Sequence, residues 1–284
     1  MGGYSPAASY NHIMRTYFRR QIFLPQDHGS WVFIFSPLLV GLSAGSTYSA
    51  ASFFLILAAL TAFLIRQPIT MAIKVLAGRR PADDLPAAQA WIFIYGALLA
   101  GAGLALMLQG FMFILYLAFP AAPVFAWHLW LVSRREERRQ PGIEIVATGV
   151  LALAAPAAYW VGLGRYDPAG WWLWLLVWAQ SAASIVYAYL RLEQRDWKAT
   201  PKRAIRFQTG YRSLLYTTFN LAVSLSLGLA SLLPSLIFIP YLVQWLETLW
   251  GTEHPAAGWK PTRIGFRQLI VSIAWTVLFI VCWK

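Results

Sequence analysis

Long apolar runs alternate along the chain with short polar or basic connections, and about nine of the runs approach the roughly 20 residues that a helix needs to cross about 30 Å of hydrocarbon. They cover residues 30–47, 49–68, 89–108, 111–132, 144–163, 170–191, 213–230, 232–249 and 265–283. The joins at Gln109-Gly110 and at Ser231 leave almost no loop. A bilayer core offers backbone groups no water, so each run predicts a helix that satisfies its own amides. The first run is the weakest, being short and holding Ser36-Pro37 and Gly41. The expected architecture is all-α, a polytopic membrane helical bundle of about nine transmembrane helices. Residues 30–284 form one domain in this reading, preceded by a cytoplasmic segment 1–29.

Several runs carry polar positions at helical spacing. Arg66, Thr70 and Lys74 stand four apart, so a helix continuing past Pro68 presents them as one slowly drifting stripe with Gln67 beside it. Gln180, Ser184, Tyr187 and Arg191, spaced 4, 3 and 4, share a face of the sixth run, which leads into Glu193, Arg195, Asp196 and Lys198. Segment 206–212, with Tyr211, leads into a seventh run whose Thr217, Asn220 and Ser224 share a face, and the eighth run carries Tyr241, Gln244 and Glu247. Polar and charged groups are expensive in hydrocarbon, so these four stripes face protein or a wet cavity rather than lipid tails. They form either an interhelical hydrogen-bond network or the lining of a ligand cavity, and Arg and Lys at its mouth favour a cavity for an anion. For Arg66 and Lys74, snorkelling to the interface is the plainer alternative.

The charges give the helices a direction. Of the 23 Lys and Arg, all except Arg165 and Lys284 lie in the N-terminal segment or around the connections 69–88, 133–143, 192–212 and 250–264. Basic connections stay inside, so the N-terminus is expected in the cytoplasm and the C-terminus outside. Trp31, Trp91, Trp127, Trp130 and Trp250 then mark cytoplasmic helix ends, and Trp160, Trp171, Trp172, Trp174 and Trp283 outer ones, as interface belts do. With 59% of 284 residues apolar and 12% charged, a soluble domain is excluded. The net charge of +12 sits between apolar runs, so its partner is the anionic leaflet of the membrane rather than nucleic acid. The lone Cys282 provides no disulfide framework and no cysteine metal site. The opening segment, with Arg15, Arg19 and Arg20, lacks the apolar core and small-residue site of a cleaved signal.

Ionisable chemistry therefore gathers at the cytoplasmic face. Asp27 or Ser30 can cap the first helix, and His28 beside Asp27 can be held in one tautomer by the carboxylate. The candidate ligand-binding residues are Asp27, His28, Arg66, Gln67, Thr70, Lys74, Gln180, Tyr187, Arg191, Glu193, Asp196, Tyr211 and Asn220, and no metal ligands are assigned. Arg134, Arg135, Arg138 and Arg139, partly matched by Glu136 and Glu137, read as a solvated topology signal. Asp83-Asp84, between Pro81 and Pro86, reads as loop punctuation. There is no Gly-rich phosphate loop with a Lys-Ser/Thr pair and no His-Glu-x-x-His.

Pro25-x-x-His28-Gly29-x-Trp31, the polar end of the second run, the basic end of the sixth and Tyr211 before the seventh resemble the YwiC-like family of bacterial membrane proteins, over most of the chain. The layout also resembles the UbiA superfamily of intramembrane prenyltransferases, which have nine spans, a cytoplasmic N-terminus and functional loops after spans two and six. Those loops correspond to residues 66–74 and 191–198. That second resemblance implies an isoprenoid diphosphate substrate and magnesium. The Asp-rich motifs are missing, however, with Arg66-Gln67-Pro68-Ile69-Thr70 near the first and only Glu193 and Asp196 near the second. Two classes of function follow. One is a UbiA-like transferase or degenerate relative whose Arg66, Lys74 and Arg191 neutralise the phosphate of an isoprenoid or other anionic lipid, or that takes a quinone-type lipid. The other is a non-enzymatic lipid-binding, transport or membrane-complex assembly subunit, with no protein partner indicated by the sequence.

Overall fold

Every apolar run becomes a helix or a broken helix. The computed structural model describes residues 17–25, 28–134 and 140–284. Its main helices are α1 (Val32–Gly45), α2 (Ala50–Leu76), α3 (Asp84–Leu108), α4 (Ala118–Arg134), α5 (Pro141–Ala152), α6 (Ala154–Leu163), α7 (Ala169–Arg195), α8 (Arg203–Leu229), α9 (Phe238–Glu253) and α10 (Pro261–Trp283). A one-turn helix, Arg20–Phe23, and 3-10 turns at His28–Trp31 and Met112–Leu117 complete the helical structure, and no strand occurs among the described residues. The helix α2 does continue past Pro68, so Arg66, Thr70 and Lys74 share the face expected of them. The tight joins are turned by Gly110, with φ of 91°, and by Ser231, with φ of 57°.

Among the described residues six helical segments are long and apolar enough to cross a membrane: Ala50–Leu76, Asp84–Leu108, Met112–Arg134, Pro141–Leu163, Ala169–Arg195 and Pro261–Trp283. Gly29–Gly45 is a shorter apolar helix. The surface confirms the class. Phe93, Leu104, Phe119 and Phe219 are exposed while Gln180, Arg191, Asn220 and Gln244 are buried, which inverts the rule for soluble proteins. This is a helical membrane protein.

The chain divides into two compact units, residues 1–30 with 49–139 and residues 31–48 with 140–284. In the first, α2 packs against α3 and α4, and the N-terminal segment docks on α2 and α3. Its backbone carbonyls take the hydrogen bonds: Trp91 Nε1 donates to Tyr17 at 2.9 Å, Gln67 Nε2 to Gln21 at 2.7 Å and the Tyr95 hydroxyl to Phe23 at 3.2 Å. Phe23 stacks on Trp91 at 4.6 Å, and Ile22 is fully buried against Met71, Ala87 and Ala88. Asp84 is not solvated loop punctuation. It opens α3, is 2% exposed, and is held by Arg19 at 3.0 Å and Arg80 at 3.1 Å, because a carboxylate at a helix N-terminus is favoured by the dipole and here by two guanidinium groups.

In the second unit α7 touches α1, α5, α6, α8, α9 and α10. The core joins Val40, Ala155, Leu173, Val177, Tyr241, Trp275 and Phe279. The α1 and α6 backbones approach closely through small residues. A Cβ on Gly45 would stand 2.8 Å from Gly162 Cα, and one on Gly41 would overlap the Ala155 carbonyl oxygen. Segment 41–45, Gly-Leu-Ser-Ala-Gly, matches the spacing of a nucleophile elbow, but it is helical rather than a strand-to-helix turn, and its glycines serve the crossing.

Candidate functional site

The polar stripes of α7, α8 and α9 bond to one another, the network being one of the two outcomes open from the sequence. Gln180 Nε2 donates to Ser184 Oγ at 3.0 Å, and Gln244 Nε2 reaches Ser184 Oγ at 3.0 Å and the Gln180 carbonyl at 3.1 Å. Asn220 Nδ2 donates to the Ala179 carbonyl at 2.8 Å and Tyr241 to the Leu176 carbonyl at 2.9 Å. These bonds tie helices together where no water can satisfy them.

Towards the C-terminal end of α7 the network becomes charged. Glu247 is gripped by Arg267 through Nε at 2.6 Å and Nη2 at 2.7 Å, and accepts from the Tyr187 hydroxyl at 2.9 Å. This forked pair is the geometry in which a guanidinium best neutralises a carboxylate. Arg191 is 1% exposed and has no carboxylate partner among the described residues. Its Nη1 lies 2.6 Å from the Gly251 carbonyl, 2.8 Å from the His254 carbonyl and 2.8 Å from Gln194 Oε1. Gln194 repeats the grip, donating to the Gly251 carbonyl at 3.1 Å and accepting from the Ala256 amide at 3.3 Å. The last carbonyls of α9 carry the negative end of its dipole, so Arg191 and Gln194 together clasp that helix end. Arg191 Nη2 has no hydrogen-bond partner.

Aromatic rings surround these cations. Arg191 lies over Tyr187, Trp250 and Trp259 at 5.9, 5.8 and 5.1 Å from the ring centroids, Arg267 over Trp250 at 3.8 Å, and Arg263 over Trp259 at 4.0 Å. Next to them, Gly258, Trp259, Lys260, Thr262, Arg263 and Phe266 line a surface depression of about 560 Å³. Lys260, Thr262, Arg263 and Phe266 are exposed, and neither Lys260 nor Arg263 has a carboxylate partner among the described residues. These two cations flank the first turn of α10, which holds no acidic residue. A helix start is already electropositive and ordinarily attracts Asp or Glu.

The other expected site residues are placed as follows. Arg66, Gln67, Thr70 and Lys74 lie in the first unit, with Arg66 over the Phe63 ring at 5.5 Å and Gln67 bonded to Gln21. Glu193 and Asp196 are exposed at the end of α7, turned away from the buried Arg191, and Asp196 pairs with Arg195 at 2.9 Å. Tyr211 is exposed on α8. Asp27, the side chain of His28, and Arg135 to Arg139 with Glu136 and Glu137 lie outside the described residues. No three His, Cys, Asp or Glu side chains come together among the described residues.

Residues 24–159 match the family model described as YwiC-like protein. Over that stretch the chain is similar to the YwiC-like family. The match contains the Pro25 to Trp31 motif and the Arg66 end of α2, and it stops within α6. Arg191, Glu247 and the depression at α10 lie beyond the YwiC-like segment. No curated protein and no solved structure matches the chain.

Sequence reasoning found Tyr187, Arg191, Gln244 and Glu247 from their spacing. It missed Trp259 altogether, and Lys260, Arg263 and Arg267 counted only as basic topology signals. The available signal was the pairing of basic with aromatic residues in 259–267 and the lack of an acid at the start of α10.

Proposed function

We propose that the protein is a multi-pass component of the bacterial cytoplasmic membrane, N-terminus inside and C-terminus outside, that holds an anionic lipid by its headgroup at the start of α10. The observation that carries this reading is the pair of exposed cations Lys260 and Arg263, without a carboxylate partner among the described residues, at an electropositive helix start whose first turn has no acid. An anion relieves that repulsion, and Trp259 and Phe266 beside it suit the acyl side of a headgroup. Catalysis is not part of this reading. A UbiA-like transferase acting on an isoprenoid diphosphate is the second reading, supported by the basic ends of α2 and α7.

The test is retention of anionic lipid by purified protein, read by native mass spectrometry. Lys260→Ala with Arg263→Ala should weaken retention about tenfold or more, since each charge-assisted contact contributes roughly 1.5 to 3 kcal/mol. Both side chains are exposed, so the melting temperature should stay nearly constant. Unchanged retention would defeat the proposal. For the orientation, reporter fusions after Lys284 and within residues 192–212 should report opposite sides of the membrane, and the same side from both would reject it.

A further inference from the structure

Resting on the anionic-lipid reading, we infer that the headgroup taken by the α10 depression ends in a doubly charged phosphate, a phosphomonoester or diphosphate, rather than a singly charged phosphodiester. The charge around Trp259 exceeds what one negative charge balances. Lys260 and Arg263 line the depression, and both Arg263 and the buried Arg191 lie over the indole that forms its wall, at 4.0 and 5.1 Å. None of the three has a carboxylate partner among the described residues, whereas Glu247 is held by Arg267 and Glu253 by Arg203. Arg191 is itself 1% exposed and keeps Nη2 without a hydrogen-bond partner. A buried guanidinium N–H is costly to leave unmade, and its natural acceptor is an anionic oxygen. The exposed Thr262 hydroxyl adds a neutral donor at the same helix start.

A phosphodiester brings one charge and two free oxygens. A phosphomonoester brings about −1.5 to −2 near neutral pH and three oxygens, which match Lys260, Arg263 and the helix start together, with the field of Arg191 behind them. The discrimination belongs to the second charge. It should therefore appear as the ligand's own second proton leaves, near pH 6. His254, whose carbonyl accepts from Arg191, is a neighbouring histidine, and a phosphodiester control reads any contribution of the protein separately.

The experiment is calorimetric titration of the detergent-solubilised full chain with short-chain phosphatidic acid, phosphatidylglycerol and phosphatidylcholine, at pH 5 and pH 7.5. Phosphatidic acid should bind about tenfold or more tighter than phosphatidylglycerol at the higher pH, and that preference should shrink at the lower pH while phosphatidylglycerol binding changes little. Equal affinity for the two anionic lipids at pH 7.5 would overturn the inference and leave the anionic-lipid reading standing. Affinity for both no greater than for phosphatidylcholine would overturn the reading itself. Inorganic phosphate should compete only weakly, and competition at the same concentration as phosphatidic acid would assign the depression to a free anion instead of a lipid. The comparison uses the unaltered protein, so it survives if Arg191 variants fail to fold.

Discussion

Arg191→Ala is expected to destabilise the protein in detergent by on the order of 3 kcal/mol, the largest loss for any single polar side chain described above. The substitution leaves the His254 carbonyl without its side-chain donor and takes the shorter of two bonds from the Gly251 carbonyl and from Gln194 Oε1, which keep only the Gln194 and Ala256 amides. It also leaves a hole beneath Tyr187, Trp250 and Trp259. Each buried carbonyl left unmade costs roughly 1 to 3 kcal/mol, and hydrogen bonds between membrane helices fall toward the low end of such ranges, so the sum rests on the clasp as a unit. The check is reversible unfolding followed by helical circular dichroism, beside Arg195→Ala, whose partly exposed side chain pairs with the exposed Asp196 and should cost little. If both variants unfold alike, Arg191 does not hold the end of α9.

Gly41→Ala is expected to cost about 1 to 3 kcal/mol or more, although it adds one methyl group. That methyl would overlap the Ala155 carbonyl oxygen and stand 2.8 Å from Ala158 Cβ, so α1 and α6 would have to separate along the crossing that also brings Gly45 onto Gly162. Gly101→Ala supplies the contrast. It lies mid-helix in α3 with nothing within 4 Å of its added Cβ, and there alanine's better helix propensity should leave stability unchanged or raised by up to about 1 kcal/mol. Melting temperatures of the two variants that move together would contradict the account of the crossing.

Much of this molecule was legible as pattern. Apolar length located the helices, and the spacing of Gln180, Ser184, Tyr187 and Arg191 identified the face of α7 that is buried. Periodicity tells which side of a helix faces inward, not which neighbour it meets. Hence Tyr187 could be placed on a stripe, while its partner Glu247, sixty residues away, could not be assigned to it. The same limit explains Asp84. Its local setting between prolines reads as a turn, and only folding brings Arg19 to it from sixty-five residues upstream. Glu193 shows the converse, since it follows Arg191 by two residues, which on a helix turns it to the opposite, exposed side. Lys260 and Arg263 were read as topology signals because a count of basic residues does not register whether each has an acid beside it.

The docking of the N-terminal segment has a consequence for how its sequence can vary. Trp91, Gln67 and Tyr95 grip carbonyls that every residue possesses, so the exposed side chain at position 21 is free to drift without loosening the attachment. Phe23, Ile22 and Tyr17 are fixed by what they pack against, and Arg19 by Asp84. Register, by contrast, is rigid: one inserted residue would carry each carbonyl past its donor, so this stretch of chain should tolerate a change of letter better than a change of length.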